Sequence, residues 1–168
     1  IFWMDPAQGA STSTVVLAQV TVATGSGGQA AAVLQGRSSG DAEDWSMATS
    51  WDLSGGTAGP APPPTPPPAE YATASVDTVS GSPDGFVTYT LTVTLSAATS
   101  NVYSIFGHDS MPLSIPAAYQ VATPFGTDVG GVNPLLIVST PEAEYDSWLT
   151  VGTTDGSATV SCSHAPIG

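Results

Sequence analysis

The sequence predicts an all-β fold, an antiparallel sandwich of the Ig-like or jelly-roll-like kind interrupted by an extended polyproline II linker. Three observations carry that prediction. From Phe86 to Leu95, apolar residues alternate with threonine without a break. Short β-branched runs recur along the chain between Gly, Pro, Ser and Asp turn signals. No segment repeats apolar residues at i, i+3, i+4 and i+7 for three turns, so no long amphipathic helix is expected.

In chain order, Ile1-Phe2-Trp3-Met4 opens on a dense apolar cluster, like a strand entered in mid-course. Val15 to Val22 is β-branched and partly alternating, which predicts a strand. Gly25-Ser26-Gly27-Gly28 signals a turn, and Ala30 to Gln35 reads as the returning strand of a hairpin. Asp41 to Asp44 is an acidic loop, and Ser46 to Leu53 a further short strand. Beyond the linker, Tyr71 to Val79 leads into the turn Ser80-Gly81-Ser82-Pro83-Asp84-Gly85. In the next strand, Val87, Tyr89, Leu91, Val93 and Leu95 share one face. Thr88, Thr90, Thr92 and Thr94 share the other, the pattern of one buried and one polar face. Val102 to Phe106 is the following strand. The segment from His108 to Pro134 reads as a long connection with one short strand near Tyr119. Leu135 to Val138 reads as a central strand, Ser147 to Val151 as another, and Ala158 to Ser163 as the last.

Between these regions lies Gly59-Pro60-Ala61-Pro62-Pro63-Pro64-Thr65-Pro66-Pro67-Pro68, eight of whose ten residues are Pro or Gly. Proline fixes φ and lacks an N–H donor, so the stretch favours polyproline II. At about 3.1 Å per residue it makes a stiff rod of roughly 30 Å. The expected organisation is therefore residues 1–53 as one set of strands, 54–69 as a Pro-rich linker, and 70–168 as the sandwich's opening half.

Composition narrows the function classes. The formal net charge is −13, with Arg37 the one Lys or Arg among 168 residues. Nucleic acid and anionic lipid both require a basic surface, so neither is an expected partner. No apolar run approaches the roughly 20 residues of a spanning helix. The chain opens on Ile1 with no leader, as expected of a processed or partial product. Cys162 is the single cysteine, which excludes an intrachain disulfide. Abundant Ser and Thr, no Lys and the Pro run together suggest an extracellular or cell-surface protein.

The residues Val102-Tyr103-Ser104-Ile105-Phe106-Gly107, Met111-Pro112-Leu113, Pro124-Phe125-Gly126 and Val132-Asn133-Pro134-Leu135 follow in sequence. They lead into Tyr145-Asp146-Ser147-Trp148-Leu149-Thr150-Val151-Gly152. This run resembles an uncharacterised secreted β module of aquatic microbes, over roughly residues 70–155. Phe2-Trp3-Met4-Asp5-Pro6, Val16 to Thr21 and Leu34 to Arg37 resemble the closing strands of the same module, here placed before its opening half. The resemblance implies a module apparently split: either the chain is one window of a longer tandem repeat, or residues 1–53 pair with a neighbouring copy through Phe2, Trp3, Val16, Leu17 and Val20. It implies no catalytic residues. The Pro run is similar to hydroxyproline-rich glycoproteins of algal walls. That likeness marks Pro62, Pro63, Pro64, Thr65, Pro66, Pro67 and Pro68 as candidate carriers of O-linked glycans. No Asn-X-Ser/Thr sequon occurs.

Few side chains suggest chemistry. His108 and His164 stand in a loop and a tail without a nucleophile motif. Cys162-Ser163-His164 is too sparse for zinc. Glu142, Glu144 and Asp146 would share one face of a strand. There they would form a solvated face, a calcium site, or, more remotely, a glycosidase pair. Calcium is thus the one ion to be considered, and no other cofactor is expected. Trp3, Trp45, Trp51 and Trp148 belong to a core or to a sugar-stacking platform. The reading favoured is a non-enzymatic structural protomer. It would assemble head to tail with neighbouring copies by sharing β-strands, with the glycosylated Pro run as spacer. The alternative is a carbohydrate- or calcium-binding adhesion module.

Overall fold

The structure, a computed structural model, describes residues 1–40, 43–54 and 71–157. It is all-β, built from strands β1 (Thr14–Ala23), β2 (Gln29–Ser38), β3 (Asp44–Asp52), β4 (Ala72–Val79), β5 (Phe86–Leu95), β6 (Thr99–Phe106) and β7 (Trp148–Leu149). Two antiparallel sheets form, one in the order β4-β5-β1-β7 and the other β3-β2-β6. The β2–β3 and β4–β5 connections are hairpins within a sheet, whereas β1–β2 and β5–β6 pass from one sheet to the other. The expected hairpin of β1 with β2 is therefore an arch. The strands still succeed one another, but each pairs elsewhere: β1 with β5 and β7, β2 with β3 and β6.

The core lies between the sheets. Leu17, Val20, Leu34, Leu91, Val93, Val102 and Ile105 are each no more than 2% exposed. Burying one such side chain contributes about 1.5–3 kcal/mol. Trp45 and Trp51 join this cluster, and each indole N–H finds a backbone carbonyl, Arg37 O at 3.1 Å and Thr92 O at 3.0 Å. Gly36, opposite Trp45 in the β2–β3 register, has to be glycine. A Cβ there would lie 2.0 Å from the Asn101 carbonyl oxygen and 2.5 Å from the Trp45 ring.

Three local expectations change. Leu135 to Val138 is not a strand: Pro134–Ser139 forms a short helix, α1, capped by Asn133, whose side chain accepts from Leu135 N–H. Proline at the first helical position and Asn as cap outweigh the β-branched run. Leu135 and Val138 consequently stand 78% and 83% exposed. Tyr119 is in no strand; its N–H donates to Thr21 O at 2.7 Å. The threonine face of β5 is only partly polar surface, because Thr88 and Thr92 are buried at 0% and 6% exposure.

β1 sits between β5 and β7, and β2 pairs with β6, so strands from both sides of the Pro-rich interval build one sandwich. β5 and β7 flank β1 without pairing to each other. The Pro run itself and the strand expected at Ala158 to Ser163 lie outside the described residues.

Candidate functional site

The residues most like a motif, Tyr145 to Gly152, form a corner where a 3-10 turn (Pro141–Tyr145) runs into β7. β7 contributes two residues opposite Ala18 and Gln19, and Thr150 N–H and Gly152 N–H extend the contact to Leu17 O and Val16 O. Past β7 the edge of β1 is closed by side chains. Ser147 Oγ accepts from Thr21 N–H at 2.9 Å, and Thr21 Oγ1 donates to Tyr145 O at 2.6 Å. Thr21 Oγ1 also meets Thr88 Oγ1 at 2.8 Å, and Ser82 Oγ donates to Thr88 Oγ1 at 2.9 Å. Gln19 Nε2 donates to Glu144 O and Asp146 O, at 2.8 and 2.9 Å.

Asp146 is fully buried. One carboxylate oxygen accepts from Val121 N–H at 2.8 Å and the other from Thr127 N–H at 2.6 Å, so the side chain clips the 121–127 loop against β7. At Gly126 a Cβ would stand 2.0 Å from Val121 O and 2.9 Å from the Asp146 carboxylate, so the clip requires glycine there. Burial pushes the Asp146 carboxyl above the usual range. Hydrogen bonds from Val121, Thr127 and Ser147 oppose that shift, and the charge of Asp128 adds to it. Trp148 packs with Val132 and Ala143 in a second small core beneath the corner.

The three candidate metal ligands are not brought together as expected. Glu142 and Glu144 lie exposed on the 3-10 turn, whereas Asp146 points inward to backbone amides. The strand alternation that would have aligned them is absent because Pro141 starts a turn. Among the described residues no group of three His, Cys, Asp or Glu is placed to hold a metal ion.

The five assembly candidates all face partners within the chain. Leu17 and Val20 are 0% and 1% exposed in the core, and Val16 packs on the second core. Phe2 bridges Ser104 on β6, and the Trp3 indole donates to Val151 O at 3.0 Å. Of the tryptophans, Trp45, Trp51 and Trp148 are at most 5% exposed, so they serve packing rather than a sugar platform. His108 is exposed and meets Ser110 Oγ at 3.0 Å through Nδ1, within a tight turn. Thr65 and the candidate glycan-bearing prolines, with Cys162 and His164, lie outside the described residues.

Sequence reasoning missed the roles of Gln19, Thr21 and Ser147. A buried Thr at the middle of a strand and a Ser beside a Trp were the available signals. A cavity of about 360 Å³ opens at the sandwich end formed by the β1–β2 arch, lined in part by Val22, Leu53, Ser54, Val87 and Tyr89. No family model, no curated protein and no solved structure matches this chain.

Proposed function

We propose that this protein is a structural protomer of an extracellular filament or cell-surface matrix, with the Pro-rich interval as a spacer bearing O-linked glycans. The observation that carries the reading is the use made of the Tyr145–Trp148 corner. The polar side chains of Asp146 and Ser147 are spent on backbone groups that tie the segments together. What reads as the chain's most specific motif thus supports construction rather than chemistry. The net charge of −13 adds a condition. Copies repel at low salt, so assembly should strengthen as salt or divalent cations screen the repulsion.

Electron microscopy over a range of concentration and ionic strength tests this. Regular fibres or sheets whose abundance rises with salt are expected. Dispersed single particles under every condition would contradict it.

A further inference from the structure

We propose that the self-assembling partner is a second copy of this chain that exchanges residues 1–54, its β1 entering between β5 and β7 of a neighbour. This rests on the structural-protomer reading and specifies its contact. Every strand pair except β2–β3 and β4–β5 joins residues 1–54 to residues 71–157. The N-terminal residues follow the same rule, with Trp3 N–H on Tyr103 O and Asn101 Nδ2 on Pro6 O. Without β1, the four-stranded sheet is β4-β5 and β7 with a strand-wide gap between them. Residues 71–157 therefore hold an acceptor slot, residues 1–54 hold the strand that fills it, and one interval joins the two. An exchanged assembly retains every one of these contacts and changes only the path of that interval.

Leu53 N–H donates to Gly28 O, which places Ser54 at the end of the sandwich that carries the β1–β2 arch. Tyr71 stacks on Trp45 and its carbonyl accepts from Ser96 N–H, at the opposite end. Nine strand steps separate Trp45 from Ser54, about 30 Å at 3.3 Å per residue. Ser54 and Tyr71 thus stand at opposite ends of the sandwich. In a head-to-tail stack of exchanged copies, the Ser54 end of one body instead adjoins the Tyr71 end of the next. Both attachment points then face the same junction.

The test uses the full chain carrying Thr14→Cys and Thr94→Cys in a Cys162→Ser background. Thr14 and Thr94 are exposed register partners beside the Leu95 N–H to Ser13 O bond, so they form a non-hydrogen-bonded pair. Such pairs have Cα atoms about 4.5 Å apart, within reach of a disulfide. The protein is assembled under reducing conditions, imaged, oxidised and run on a non-reducing denaturing gel. A ladder of covalent oligomers from assembled material is expected. Assembled material that yields only internally bridged monomers overturns the exchange and leaves the structural-protomer reading standing. Covalent dimers with no fibres support exchange while contradicting the filament. Dispersed, internally bridged monomers overturn both.

Discussion

Trp45 and Tyr71 stack face to face, their ring centroids 5.3 Å apart and their planes 9° from parallel. Tyr71 is the first described residue after the Pro-rich interval, and Trp45 is the second residue of β3 before it. The stack thus fixes where the second segment begins on the first. A double-mutant cycle with Trp45→Leu and Tyr71→Leu should return a coupling of about 0.5–1.5 kcal/mol, as for aromatic pairs generally. Strict additivity in urea unfolding would show that the rings do not meet.

Asp146→Asn should destabilise the protein by about 1–3 kcal/mol. The new amide NH₂ cannot accept from both Val121 N–H and Thr127 N–H, which leaves one buried donor unpaired. Urea midpoints at neutral pH measure this, and an unchanged midpoint would mean the clip is not made.

The same carboxyl sets a pH dependence whose sign follows from its raised folded value. The native state holds this proton more tightly than the unfolded chain. Its contribution is therefore fully present below the unfolded value, near 3.8, and is lost as pH rises through the higher folded value. The stability of the native protein relative to Asp146→Asn should fall across that window. Asp52 and Asp155, depressed by hydrogen bonds from Ser54 and Ser157, act in the opposite sense in both proteins and cancel in the comparison. A difference that grows with pH would contradict the assignment to Asp146.

Thr21→Val removes a buried hydroxyl from Tyr145 O and from Thr88 Oγ1, and should cost about 1–3 kcal/mol. Adding Thr88→Val should cost less than the sum of the single changes, because the hydroxyl left unpaired by the first is removed by the second. Equal or greater than additive losses would argue against a direct Thr21–Thr88 hydrogen bond.

Leu135→Ser and Val138→Ser should each change stability by less than about 0.5 kcal/mol, since both side chains stand in solvent. Losses of about 2–5 kcal/mol, the range for truncating buried aliphatics, would restore the strand that the run Leu135 to Val138 suggests.

These residues also mark how far the sequence can be read. The alternation in Phe86–Leu95 gives the strand's bounds directly, because period-2 patterning needs only local information. The same pattern misplaces Thr88 as surface, since its hydroxyl meets Thr21 of β1 and Ser82 of the preceding turn. Leu135 to Val138 misleads because Asn133 and Pro134 act on backbone groups that hydrophobic patterning ignores. Asp146 is missed as a clip because its partners, Val121 and Thr127, sit 25 and 19 residues away in a loop with no periodic signal. The meeting of β1 with β5 is not legible in the sequence, because register across 67 residues, as between Thr21 and Thr88, is a tertiary fact.

Amide hydrogen exchange of the folded protein tests the central claim, that strands from both sides of the Pro-rich interval form one cooperative sandwich. Val20 on β1, Leu91 on β5 and Leu34 on the central strand β2 should exchange with one shared opening free energy, equal to that of global unfolding. Exchange at Val20 through a separate, lower-energy opening, with Leu91 and Leu34 still protected, would contradict it.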